Sequence, residues 1–279
     1  MNRNDPPYPE EIDTGLTRLS HEFYAVRTTF FARMFLPGIH SYIMVNSDPE
    51  GLILFDTGGS GSGQAICRAI RTIGYSPDDI LAITISHWHG DHTGGLAGII
   101  REISPSRYPV KIYAGEKDIP LMRKRIPHKL FLHPGIRVPF PHLPGKMPPG
   151  DSVQFVPLAH DHSSNPLSQW GLDYIPTPGH TPGHTSYMHT PTKTLLPGCG
   201  ISLFGGNTAG LVPVFSNRKD QVNSGKMLAE LDYRHLYPVH LSFTTRDVSI
   251  DRRRPFKTRK RLQIMLTGTR PLFRISKDL

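Results

Sequence analysis

Cysteine is nearly missing from this chain. Only Cys67 and Cys199 occur in 279 residues, and two distant thiols cannot frame a disulfide scaffold. Long apolar runs are missing too, since no stretch approaches the roughly 18 uncharged apolar residues that a membrane span needs. The opening MNRNDPPYPEEIDTG has no apolar core of the kind a secretory signal carries. These absences exclude a disulfide-framed or membrane-spanning architecture and predict a cytoplasmic protein in a reducing compartment. Disorder is excluded as well, because 37% hydrophobic and 20% charged residues describe an ordinary globular chain. No repeat or low-complexity tract interrupts it, and no shift of composition marks a linker. One domain over 1–279 is expected, large enough to bury a substantial core.

Charge is scarce in the body and concentrated at the end. From Arg246 to Leu279 there are 11 Lys or Arg against 3 Asp, which is +8 of the net +9. This basic C-terminal extension, about 246–279, reads first as a solvated helix and arm whose LQIML and PLF segments pack on the body. Its second reading is a surface for RNA, an acidic partner or an anionic membrane.

Short apolar runs and glycine turns alternate through the first half. HEFYAVRTTFFARMF and HSYIMVN predict antiparallel strands rich in β-branched and aromatic residues, and GLILF a short buried one. DTGGSGSG is a turn into the helix QAICRAIRTIG, which Gly74 closes as a C-cap. The glycines of that turn suggest a phosphate cradle, yet no Lys-Ser/Thr follows, so a tight strand-to-helix turn explains them better. ILAITIS predicts another buried strand, LAGIIREI a helix, KIYA a strand and EKDIPLMRKR a short helix. Residues Ile126 to Gly150 are proline-rich and irregular, with His128, His133 and His142 among them, as in loops that rim a binding site. Beyond them SVQFVPLA, GLDYIPTP, HTSYMHT and KTLLPG predict a second sheet, KDQVNSGKMLAELD a helix and HLYPVHL a last strand. Alternating strands and helices in both halves predict two mixed sheets flanked by helices.

The segment Ser86-His87-Trp88-His89-Gly90-Asp91-His92 follows a buried strand directly. Three imidazoles and a carboxylate suit a borderline-soft divalent metal. On extended backbone His87 and His89 project to one side, and the turn at Gly90 swings Asp91 and His92 toward a second ion. HWHGDH resembles the HxHxDH signature of the metallo-β-lactamase superfamily. FDTGGSG at Asp56 resembles the family's early Asp-Thr-Gly turn, TPGHTPGHTS its third-histidine segment and YPVH the end of its late ligand strand. The resemblance runs from Ser41 to Leu241 and implies the αββα metallo-β-lactamase sandwich.

By that resemblance His87, His89 and His180 hold a first metal, and Asp91, His92 and His240 a second. His184 rivals His180 within GHTPGH; the family's PGHT histidine favours His180, leaving His184 to pack or hydrogen-bond. Where most dinuclear members carry a bridging aspartate, LLPGCGIS supplies Cys199. A thiolate there biases the site toward two zinc ions over iron or manganese; the alternative is a small buried cysteine beside a weakly held second metal. His160-Asp161-His162 reads as polar loop chemistry. A divalent ion lowers the pKa of bound water from about 15.7 toward about 7, on the order of 12 kcal/mol in available hydroxide. The expectation is hydrolysis of an ester, lactone or related bond of a small molecule by metal-bound hydroxide, with Asp91 orienting the nucleophile and shuttling its proton. The alternatives are a phosphodiesterase or nuclease using the basic tail, a mononuclear iron sulfur dioxygenase, and a binding protein with a degenerate site.

Overall fold

The computed structural model describes residues 9–28, 39–124, 129–132, 136–137, 144–204, 208–240 and 273–274. FFARMF, the three histidines of the proline-rich segment and the basic tail apart from 273–274 lie outside them. An eight-stranded sheet runs in the order β1 (Glu10–Asp13), β2 (Leu16–Arg18), β3 (Phe23–Thr28), β4 (Ile39–Ser47), β5 (Glu50–Phe55), β6 (Ile80–Ile85), β7 (Val110–Gly115) and β8 (Val153–Leu158). Its first five strands pair antiparallel and β5 through β8 pair parallel. A second sheet contains β9 (Leu172–Pro176), β10 (Thr185–His189), β11 (Thr194–Leu196) and β12 (His235–Leu236), with only the last pair parallel.

The apolar runs of β5 and β6 are continuous because both faces of these central strands are covered. Leu52 and Leu54 point to one side, where α1 (Ser62–Thr72) contributes Ile66 and Ile70, and α3 (Leu96–Ile100) contributes Leu96 and Ile99. Ile53 and Phe55 point to the other, into a layer shared with Tyr174, Tyr187, Leu196 and Tyr237 of the second half. On the far side of the second sheet, Leu195 and Leu236 meet Leu228 of α5 (Arg218–Glu230). The layers therefore stack helix, sheet, sheet, helix, as the resemblance implies. Among the described residues no helix is long and apolar enough to cross a membrane.

One strand departs from expectation. SVQFVPLA adds to the first sheet as β8, parallel to β7 in register Val153↔Val110 to Leu158↔Gly115, and not to the second. The chain between the two strands carries α4 (Ile119–Lys124) and is long enough for a parallel crossover. Sheet membership at an edge depends on that connection, which leaves no mark in the strand's own residues. Gly74 adopts φ 90° just past α1, the expected left-handed stop.

The helical segment α2 (Gly90–Thr93) sits against the turn after β5, because Gly94 N donates to Gly58 O at 2.8 Å and Thr57 N to His92 O at 2.7 Å. A Cβ on Gly95 would press into the Thr57 carbonyl oxygen, well inside van der Waals contact. Gly95→Ala should therefore destabilise the protein by about 1–3 kcal/mol in urea titration; unchanged stability would contradict this close approach.

Candidate metal centre

The candidate residues gather at the carboxyl ends of the parallel strands β5, β6 and β7, where open α/β sheets place their ligands. His87, Trp88 and His89 follow β6; Trp88 packs into the helix-side core, while the rings of His87 and His89 meet each other at 3.0 Å. His89, at φ −61° and ψ 149°, precedes α2, and this change of backbone carries Asp91 and His92 toward the second sheet. His180 comes from the loop between β9 and β10, Cys199 from the turn after β11, and His240 from the chain after β12, where it bridges Ile39 of β4.

Three ring nitrogens form a nearly equilateral triangle. His87 Nε2 lies 3.0 Å from His89 Nδ1, and His180 Nε2 lies 3.1 Å from each of them. Hydrogen bonds on the far sides of the rings assign the tautomers. Ser86 Oγ gives its proton to Asp56 Oδ2 at 2.7 Å, so His87 Nδ1 donates to Ser86 Oγ at 2.9 Å. His180 Nδ1 donates to the carbonyl of Val214 at 2.7 Å. Both Nε2 atoms are then lone pairs facing each other across 3.1 Å with no proton between them. A cation resolves that repulsion. A point about 2.0–2.1 Å from all three nitrogens, the zinc–nitrogen distance, lies just off the plane of the triangle.

A second cluster adjoins the first. His92 Nε2 is 3.3 Å from His240 Nε2 and 3.5 Å from Cys199 Sγ. Asp91 Oδ2 stands 3.6 Å from His92 Nε2 and 3.5 Å from His240 Nε2. A tetrahedral zinc with arms of about 2.0–2.3 Å has edges of about 3.3–3.7 Å, and these four separations fall in that range. Cys199 Sγ belongs to both clusters, within 4.8 Å of the ring nitrogens of His87 and His180 on one side and of His92 and His240 on the other. Burial pushes the Cys199 thiol up, but the imidazoles of His240, His92, His180 and His87 around it outweigh this and hold the group well below the usual thiol range. The thiolate is the form that binds metal.

Two buried carboxylates organise the clusters from behind. Asp56, in the left-handed region at φ 56°, accepts from Ser86 N, Ser86 Oγ and His92 Nδ1 at 2.7, 2.7 and 2.8 Å. It thereby turns His92 Nε2 toward the second cluster. Asp118 joins the two histidine loops, accepting from Trp88 N at 3.1 Å and from Thr181 Oγ1 and Gly183 N at 2.6 Å each. Burial pushes Asp118 up to about 6, against those three hydrogen bonds.

His87, His89 and His180 thus come together, as do Asp91, His92, Cys199 and His240. His184 does not converge with them; its Nε2 accepts from the backbone N–H of Cys199 at 3.0 Å. His162 forms an exposed pair with Asp173 at 2.8 Å, in keeping with polar loop chemistry. Sequence reading missed Asp118, whose neighbours KIYAGEK bear no metal signature; a carboxylate just past a parallel strand end was the available signal. It likewise gave no role to Ser86, which links Asp56 to His87.

The sequence profile of the metallo-beta-lactamase superfamily matches residues 36–240, spanning both clusters. The chain belongs to the metallo-β-lactamase superfamily. It is an enzyme, a hydrolase of that superfamily. The uncharacterized protein YobT of Bacillus subtilis is 27% identical over 211 residues, 72% of this chain and 82% of that protein. An N-acyl homoserine lactonase of Bacillus thuringiensis is 31% identical over 121 residues, but these are 43% of this chain and 37% of the lactonase. A metallo-beta-lactamase from Pontibacter korlensis shares the fold at TM-score 0.58 and 17% identity, over 83% of this chain and 92% of that one.

Asp118→Ala strips three buried donors of their acceptor. At about 1–3 kcal/mol each, it should lower unfolding stability by about 3 kcal/mol or more in chemical denaturation; a loss below about 1 kcal/mol would show that the two histidine loops are joined by other means.

Proposed function

We propose that this metallo-β-lactamase-superfamily chain is a dinuclear zinc hydrolase that opens a small carboxylic ester or lactone. The observation that carries the reading is Cys199, one soft donor shared by two adjacent groups of donors. His87, His89 and His180 would hold the first ion, Asp91, His92 and His240 the second, with Cys199 between them. A soft donor in a largely imidazole set supports zinc over manganese or iron. Such ions would activate water and polarise the substrate's carbonyl oxygen.

The chain's own residues supply the rest. Asp91 Oδ2 faces His92 and His240, which leaves its other oxygen to accept a proton from the attacking water. The same oxygen returns that proton to the alkoxide that leaves when the ester C–O bond breaks. His92 is held by Asp56 and His87 by Ser86, so neither ring is free to turn and take that proton instead.

The ester or lactone class draws on the 31% identity to the lactonase and on a nearly neutral body, since the tail carries +8 of the net +9. A phosphodiesterase would want a cationic cluster to receive its substrate. The nuclease reading depends on the 246–279 segment alone; shortening the chain there would abolish RNA or DNA cleavage and leave ester hydrolysis intact.

Plasma mass spectrometry of protein purified without added metal or chelator should find two zinc ions per chain. One iron would favour the dioxygenase instead. Asp91→Ala should lower kcat/KM for the best substrate among lactones, thioesters, β-lactams and phosphodiesters by about 10²–10⁴-fold. Near wild-type turnover would sink the proton-shuttle role.

A further inference from the structure

The buried His184 ring lies 5.2 Å from that of His87 and 5.9 Å from that of His180, centroid to centroid, yet it offers no ring nitrogen to either cluster. Its environment can be read proton by proton. Ser186 Oγ donates to the carbonyl of Pro197 at 3.2 Å, and a carbonyl can only accept. Ser186 Oγ therefore receives the hydroxyl proton of Thr177, 2.9 Å away. Thr177 Oγ1 in turn receives the Nδ1–H of His184 at 2.8 Å. This relay leaves Nε2 of His184 as a lone pair, and that lone pair accepts the backbone N–H of Cys199 at 3.0 Å.

The chain of hydrogen bonds closes on itself. It starts at the carbonyl of Pro197 and ends at the amide of Cys199, so both flanks of Gly198 are gripped by one buried relay. Gly198 has φ +55°, and a Cβ there would lie 2.6 Å from Ser86 Cβ and 3.0 Å from His184 Nε2. The turn is thus pressed against His184 and against the serine that orients His87. Thr185 N, next in the chain, donates to Ser86 O at 2.8 Å, which ties His184 to the same anchor.

We propose that His184 is a positioning residue that sets Cys199 Sγ between the two metal positions, through the Thr177–Ser186–Pro197 relay and the Cys199 amide. The inference rests on the reading of Cys199 as a shared metal ligand. It assigns the second histidine of GHTPGH to the thiolate's backbone and withdraws it from the metal. A buried hydrogen-bond partner behind a ligand is worth about 10–100-fold in metal affinity.

Full-length protein loaded with cobalt(II) separates the inference from the reading beneath it. Wild-type protein should show thiolate-to-cobalt charge-transfer absorption that Cys199→Ser abolishes; absence of that band in the wild type overturns both. His184→Ala should weaken cobalt binding about 10–100-fold in chelator competition and diminish the band. His184→Gln, whose Oε1 can still accept the Cys199 N–H, should restore both. A folded His184→Ala with wild-type band and affinity overturns the proposal, as does a folded His184→Gln as impaired as the alanine variant. Should the variants fail to fold, isotope-labelled histidine spectra of the wild-type protein decide. The Nδ1–H tautomer at His184 supports the relay, and the Nε2–H tautomer overturns it.

Discussion

Two imidazole lone pairs, on His87 Nε2 and His180 Nε2, face each other across 3.1 Å because each ring has already committed its proton to Ser86 or to Val214. Buried groups of like polarity do not stay together unless something of opposite charge lies between them. That requirement shapes the molecule around it. β5, β6 and β7 stop at one level so that Asp56, His87 and Asp118 stand at their ends. The second sheet brings in His180 and Cys199, and the cores on both sides of the first sheet keep the convergence rigid.

His87, His92 and Cys199 are each held by a partner that does not itself face the proposed metal positions. Asp56 holds His92 and Ser86, Ser86 holds His87, Asp118 ties the His87 loop to the His180 loop, and His184 holds the turn of Cys199. The partners are buried carboxylates, hydroxyls and a neutral imidazole, whose hydrogen bonds strengthen in low dielectric and penalise any misplacement. Preorganisation of this kind lets a bound ion find its geometry ready. It also explains why the sheet ends crowd so many polar side chains into a region without solvent.

Much of this was legible from the sequence, for physical reasons that differ by residue. His87, His89, Asp91 and His92 were readable because the whole motif is local: the period of an extended strand and one turn determine which way they point. His180 and His240 needed the family resemblance, since nothing in their spacing to the motif brings them near it. Cys199 was readable as a departure, a thiol where a carboxylate belongs. Asp118 and the Thr177–Ser186 relay were not readable, because each acts through backbone amides and carbonyls whose positions exist only in the fold. The sheet of SVQFVPLA was misjudged for the same reason, as an edge strand's partner is decided by the crossover and not by its own residues.

Anomalous diffraction at the zinc absorption edge, on crystals of protein purified without chelator, tests the central claim most directly. The account predicts two peaks. One lies at bonding distance from the ring nitrogens of His87, His89 and His180, the other among Asp91, His92 and His240, and Cys199 Sγ reaches both. A peak on His184, or no peak between the facing nitrogens of His87 and His180 in a crystal that retains this geometry, would contradict it.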